Sequence, residues 1–172
     1  MYQVGDLIIY GGSNCVCRVT NITKLDFPDI DRERLYYVLK PLHQDCVIYN
    51  PVDNTNILMR PVITRNDALA LIDTIPDINT GTYCDNEFKQ IMEHCESIIK
   101  TRDCAKLIEL TMSLYSKKHF LLDHNRRFGT MEDAFMKRAE DILFSEFSVA
   151  LDIPKEQVQS YIAARIKEKT ES

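Results

Sequence analysis

Cys15-x-Cys17 is the first pair in this chain whose residue types and spacing could do chemistry. On an extended strand, residues two apart share a face, so both thiols could reach one ion or form a redox pair. The six cysteines stand at 15, 17, 46, 84, 95 and 104, without the close second pair that a zinc site needs. The simpler reading is two small residues on the inner side of a strand, with reduced thiols elsewhere in the core. His119 and His124 lie five apart and His94 adjoins Cys95. A zinc protease places two histidines four apart on a helix, with a glutamate between them, and that pattern is absent. So are the phosphate-cradling GxxxxGK and GxGxxG loops and the GxSxG nucleophile turn. Asp29 and Asp31 read as loop solubility, and Glu132-Asp133 as acids complementing a helix start. No catalytic constellation forms. The expectation is a protein that is not an enzyme, with no metal, cofactor or small-molecule substrate.

Positive charge is the other chemistry on offer. Lys117, Lys118, Arg126 and Arg127 face a single acid, Asp123, across a segment that also holds His119, Phe120 and His124. Lys137 and Arg138 follow one or two helical turns later. Local concentration of this kind neutralises phosphates; the alternative is an ordinary solvated face. Tyr83 sits in a polar, glycine-containing segment before a helical pattern. It could staple onto that helix or act as an exposed wedge beside unstacked bases.

The elements that must position these residues fall into two halves. Up to about residue 65 the pattern is strand-like. "QVGDLIIY" alternates with an early kink at Gly5-Asp6, "GGSN" is a turn, and "CVCRVTNITKL" alternates again. "LYYVLKPL" and "CVIYNPV" are further strands, and "NILMRPVI", interrupted by Pro61, predicts an edge strand. "RNDALALIDTI" predicts one short helix, and "PDINTGT" marks a boundary. Beyond it, Asp85 can cap a helix with Phe88, Ile91, Met92, Cys95, Ile98 and Ile99 on one face. A second helix spans about Asp103 to Ser116, and "KKHFLLDHNRRFG" is a basic link. Thr130-x-x-Asp133 resembles a capping box opening a long helix. Pro154 falls in the first turn of the last helix, which buries Val158, Ile162 and Ile166.

Composition is that of a globular chain: 172 residues, 45% hydrophobic and 27% charged, with a net charge of −5. Residues 1–75 hold 7 basic and 9 acidic residues, and residues 76–172 hold 14 and 17. Neither half is basic, so any nucleic-acid contact must be local. No stretch approaches the roughly 20 apolar residues of a membrane span, and no signal-peptide pattern is visible. The expected location is the cytoplasm, away from membranes.

The order of the strand motifs carries a resemblance. "VGDLIIY", a turn, an alternating run ending in Ile22, then "YYVLKPL", "VIYNPVDN" and "ILMRPV" resemble the CarD family of bacterial RNA-polymerase-binding transcription regulators. They also resemble the RNA-polymerase-interaction domain of the transcription-repair coupling factor. The helical remainder, with "RDCAKLIELTMSLYSKK" and "MKRAEDILFSEFSVAL", resembles the CarD C-terminal domain. The resemblance implies an α+β chain: a small Tudor-like β-barrel of about five strands, then an all-α domain. Its implied boundaries are a docking domain over 1–75, a linker and helical start over 76–84, and a DNA-contacting domain over 85–172.

By resemblance, the barrel docks on the RNA polymerase β subunit through Lys24, Tyr49 and Asn50. The helical half contacts upstream promoter DNA and modulates open-complex stability. Its DNA-facing residues would be Tyr83, Lys89, Lys117, Lys118, Arg126, Arg127, Lys137 and Arg138. The aromatic wedge falls at Tyr83, or at Cys84 if a one-residue gap is moved. Two departures change the chemistry. A basic residue of the docking strand is replaced by Tyr49, so stacking replaces an ion pair, and acidic or neutral Asp85, Asn86 and Glu87 follow the wedge. Two rival functions stand beside this one. One is a protein-interaction adaptor on polymerase without DNA contact. The other is a thiol or metal sensor built on Cys15, Cys17 and Cys46.

Overall fold

The computed structural model describes residues 1–80 and 88–172. Contacts divide the chain into two compact units, Met1–Val62 and Ile63–Ser172.

The first unit is one antiparallel sheet. Its strands are β1 (Leu7–Tyr10), β2 (Val16–Lys24), β3 (Leu35–Pro41), β4 (Ile48–Pro51) and β5 (Met59–Pro61), in the order β4-β3-β2-β1-β5. The sheet is not closed by a β4–β5 ladder, so the expected barrel is an open, five-stranded sheet. A side-chain contact spans the gap instead: Asn50 Nδ2 of β4 lies 3.2 Å from Met59 Sδ of β5. The Pro61 signal correctly marked β5 as an edge. Alternation places Ile8, Tyr10, Cys17, Val19, Tyr37 and Leu39 in one buried cluster. The β2–β3 register shifts between Val19 and Asn21, a bulge that sharpens local twist. The β1–β2 turn closes with Ser13 N–H donating to Tyr10 O at 3.0 Å. It needs glycine at position 12, where a Cβ would stand 2.6 Å from the Tyr10 ring.

The second unit packs α1 (Arg65–Thr74), α2 (Phe88–Thr101), α3 (Cys104–Asp123), α4 (Thr130–Leu151) and α5 (Val158–Thr170). Ala68 and Ile72 of α1 are buried in the same core as Ile91, Leu107, Leu114, Phe147 and Val158. Packing therefore groups residues 63–75 with the helices, whereas composition groups them with the strands. Asp103 caps α3, accepting from Lys106 N–H at 3.1 Å.

Four details differ from the sequence pattern. Phe88 is exposed rather than on the core face of α2. The helix from Cys104 runs through the basic link to Asp123. The start of α4 has Gly129 as N-cap with no side-chain cap, so Thr130-x-x-Asp133 is not a capping box. Pro154 precedes a short 3-10 turn over Lys155–Gln157 rather than α5 itself.

Buried and partly buried polar contacts fix the helix ends. Glu146 accepts from Ile63 N–H at 3.0 Å and from the Cys104 thiol at 3.0 Å. Arg165 grips Asp73 with two bonds of 2.7 and 2.8 Å, and Lys169 Nζ stands 3.0 Å from the same carboxylate. Arg165 and then Lys169 hold the Asp73 pKa down at about 2. Among the described residues, no helix is long and apolar enough to cross a membrane.

Candidate functional site

The two sheet edges differ. On β5, register and flanking bonds pair Ile9 with Arg60, so Met59 and Pro61 turn their backbone groups outward. Both outward carbonyls are taken: Met59 O accepts from Tyr2 Oη at 2.9 Å, and Pro61 O from Arg60 Nη1 at 3.0 Å. On β4, Val52 N–H donates to Leu35 O at 2.9 Å, and Tyr37 faces Asn50. The alternation then turns the N–H and C=O of Tyr49 away from β3. Pro51, the next outward residue, has no N–H, and its carbonyl accepts from Asn54 N–H and Asn50 Nδ2. The open part of this edge is therefore centred on Tyr49.

The side chain of Tyr49 is 41% exposed and packs on Phe27, itself 44% exposed, with ring centroids 5.5 Å apart. Charges nearby are already matched: Lys24 with Glu33 at 2.8 Å, Arg32 with Asp26 at 2.9 Å and Arg34 with Asp53 at 2.5 Å. Of the three residues expected on this face, Lys24 and Tyr49 are exposed. Asn50 is 2% exposed and holds Asn54, Pro51 and Met59 inside the fold. Phe27 was missed because it sits beside Pro28 in a polar loop, without strand periodicity to mark it.

Among the described residues, the cysteines do not assemble a reactive centre. Cys15 and Cys17 are buried around Ser13 Oγ, each sulfur 3.6 Å from it. Burial pushes the Cys17 thiol up to about 11, and the Cys95 thiol likewise to about 11. Cys46 is exposed. Among the described residues, no group of three or more His, Cys, Asp or Glu side chains could hold a metal ion.

The expected basic face of the helical unit is largely spent on internal pairs. Lys117 of α3 bonds Glu132 of α4, with side chains only 14% and 5% exposed. Asp133 pairs with Lys137 at 2.6 Å and Lys118 at 3.4 Å, and these two cations hold its carboxyl below the usual range, Lys137 first. Arg138 reaches Glu96 at 3.2 Å, and exposed Lys89 lies 3.9 Å from Glu93. The acids at the start of α4 are thus partners for specific lysines as well as complements to a helix dipole. Arg126 and Arg127, both exposed in the α3–α4 connection, make no ion pair among the described residues. Tyr83 and Cys84 lie outside the described residues.

Residues 2–63 match the family model of the CarD-like/TRCF RID domain, a span that ends one residue past the first packing unit. No curated protein matches the chain.

Proposed function

We propose, from the match of residues 2–63 to the CarD-like/TRCF RID domain, which indicates interaction with RNA polymerase, that this protein is a non-enzymatic transcription regulator. It docks on the polymerase β subunit through β4 and contacts upstream promoter DNA through the helical unit, modulating open-complex stability. The observation that carries the docking step is the asymmetry of the sheet. The β5 edge has its outward carbonyls occupied, while β4 offers Tyr49 backbone groups beside an exposed Phe27–Tyr49 pair. An extended partner segment can add there as a further strand, with aromatic contact where an ion pair would otherwise stand. Lys24 flanks the same surface, and the role of Asn50 is to hold the strand's shape from inside.

Melting promoter DNA costs stacking and pairing energy. A bound protein shifts that equilibrium only by its differential affinity for the melted form. Anchoring on polymerase raises the local concentration, so a weak DNA contact suffices despite a net charge of −5. Arg126 and Arg127 are the cations best placed to serve, because Lys117, Lys118, Lys137 and Arg138 are already paired. Tyr83 is proposed as the wedge on the resemblance alone. The internal pairing also favours a second reading, an adaptor on polymerase without DNA contact.

Tyr49→Pro removes the outward N–H without touching a β3–β4 ladder bond. It should weaken capture of the protein by immobilised β subunit at least several-fold, the scale of one lost hydrogen bond. Undiminished capture by Tyr49→Pro and by Tyr49→Glu would refute the docking edge. Open-complex lifetime with purified polymerase separates the remaining readings. A changed lifetime that reverts with Tyr83→Ala supports the wedge, and an unchanged lifetime with capture intact supports the adaptor.

A further inference from the structure

The end of the α3–α4 hairpin combines features that neither the sheet nor the paired lysines explain. Phe120 is 44% exposed at the last turn of α3, and its ring lies 4.3 Å from that of His124, also exposed. Nδ1 of His124 is 2.8 Å from Phe120 O. A carbonyl only accepts, so the proton of this bond sits on Nδ1 and the ring is held in one orientation. Leu122 and Met131 are exposed at the same end of the hairpin. Arg126 and Arg127 follow within the same connection, with Asp123 the one acid between Lys117 and Gly129.

This end is built rather than loose. His124 N–H donates to Phe120 O, Asn125 N–H to Leu122 O and Arg126 N–H to Leu121 O, at 3.2, 3.1 and 2.7 Å. Asn125 takes the left-handed conformation, φ 55°, which asparagine tolerates better than most residues. Lys118 stands 5.6 Å from the centre of the Phe128 ring, and the Lys117–Glu132 pair ties the two helices just behind. Fixed aromatic faces, with two exposed arginines that make no ion pair among the described residues a few positions on in the same connection, are the elements of a single-strand nucleic-acid site. There bases stack on rings regardless of sequence, and arginines meet the backbone. A duplex hides its base faces and can use only the arginines.

We propose that the Phe120–His124 pair, with Arg126 and Arg127, is a stacking site for unpaired nucleobases. It is separate in sequence from Tyr83 and takes single-stranded DNA in preference to duplex. The proposal rests on the reading of the helical unit as the DNA-facing part of the protein.

The test is fluorescence anisotropy of the full chain with a labelled oligo-dT strand and with a blunt duplex of equal length, at low salt. The single strand should bind more tightly. Phe120→Ala should weaken single-strand binding roughly 5- to 100-fold, the scale of one lost base stack, and leave duplex binding unchanged. Arg126→Gln with Arg127→Gln should weaken both and reduce the single-strand salt slope by about 1.4. Circular dichroism establishes that each variant is folded, and His124→Ala, expected to act in the same direction as Phe120→Ala, guards against a fault of one variant. Equal affinity for both DNA forms, no binding of either, or unchanged single-strand affinity in Phe120→Ala and His124→Ala would overturn the proposal. Retained β-subunit capture alongside such a failure would leave the docking edge standing and overturn the stacking site alone. Loss of β-subunit capture by wild type with single-strand binding intact would do the reverse.

Discussion

Removing one partner of the Lys117–Glu132 pair should destabilise the helical unit far more than an exposed ion pair would. Both side chains are mostly withdrawn from water, at 14% and 5% exposure. Breaking a buried pair costs roughly 3–5 kcal/mol, because the surviving charge is left without compensation. The Lys117 stem retains some access to solvent, which places Glu132→Met at the low end, about 3 kcal/mol. For a unit of this size each kcal/mol moves Tm by roughly 4 °C, so the drop should be about 12 °C. Lys117→Met strands Glu132 instead and should cost a similar amount. The double variant removes both charges and keeps apolar volume, and such replacements are commonly neutral or stabilising. It should therefore recover most of the loss. Urea and thermal unfolding of the four proteins, followed by circular dichroism, give the coupling directly. A single-variant cost below about 1 kcal/mol would mean that the pair behaves as an exposed one. Lys117 would then be available to phosphates. The DNA readout must agree: the double variant should keep the wild-type affinity for oligo-dT, and a loss there would also refute the structural role.

Two further outcomes follow from the titrating groups. In the native protein Cys46 should react readily with a chromogenic disulfide reagent, while Cys17 and Cys95 should stay protected until unfolding. Their pKa values near 11 leave only about one thiolate in a thousand at pH 8; native-state labelling of Cys17 would contradict this. Arg165 and then Lys169 hold the folded Asp73 carboxyl down at about 2, below its ordinary 3.8. Its contribution to stability is therefore complete above pH ~4 and lost as pH falls toward ~2. Urea midpoints between pH 5 and 2 should fall more steeply for the wild type than for Asp73→Asn, and equal slopes would remove the Arg165–Asp73–Lys169 brace as the cause.

The strands were legible because their signals are local. Alternation marked "QVGDLIIY" and "CVCRVTNITKL" as strands, and Pro61 marked an edge; the face shared by Ile8, Cys17, Val19, Tyr37 and Leu39 emerges only from the strand pairing. The helices showed through their three-and-four spacing, as with Ile91, Cys95 and Ile99 on α2. What failed depends on contacts between elements. Nothing in "RNDALALIDTI" tells whether Ala68 and Ile72 bury against strands or helices. Nothing near Lys117 says that Glu132, fifteen positions on, will neutralise it. A charge cluster counted along the chain overstated the free charge in space. Asn50, polar and in a docking motif, turns inward, where its amide meets Met59 of β5 and Asn54. Phe27 had no periodicity to announce it and was found only through its contact with Tyr49.

The unequal sheet edges also decide what this domain avoids. Sheets grow into fibrils or chains of subunits when one molecule's free edge can pair with a free edge of the next. Here such growth stops at once. The β5 side presents a three-residue strand whose outward carbonyls are already satisfied, with proline where a second donor would be. On the β4 side, the next outward residue after Tyr49 is Pro51, which has no N–H to offer an added strand. With only the β4 edge open, copies of the domain cannot add to one another edge to edge in a continuing series. Pro51 and Pro61 thereby limit the backbone donors that both edges of the sheet can offer.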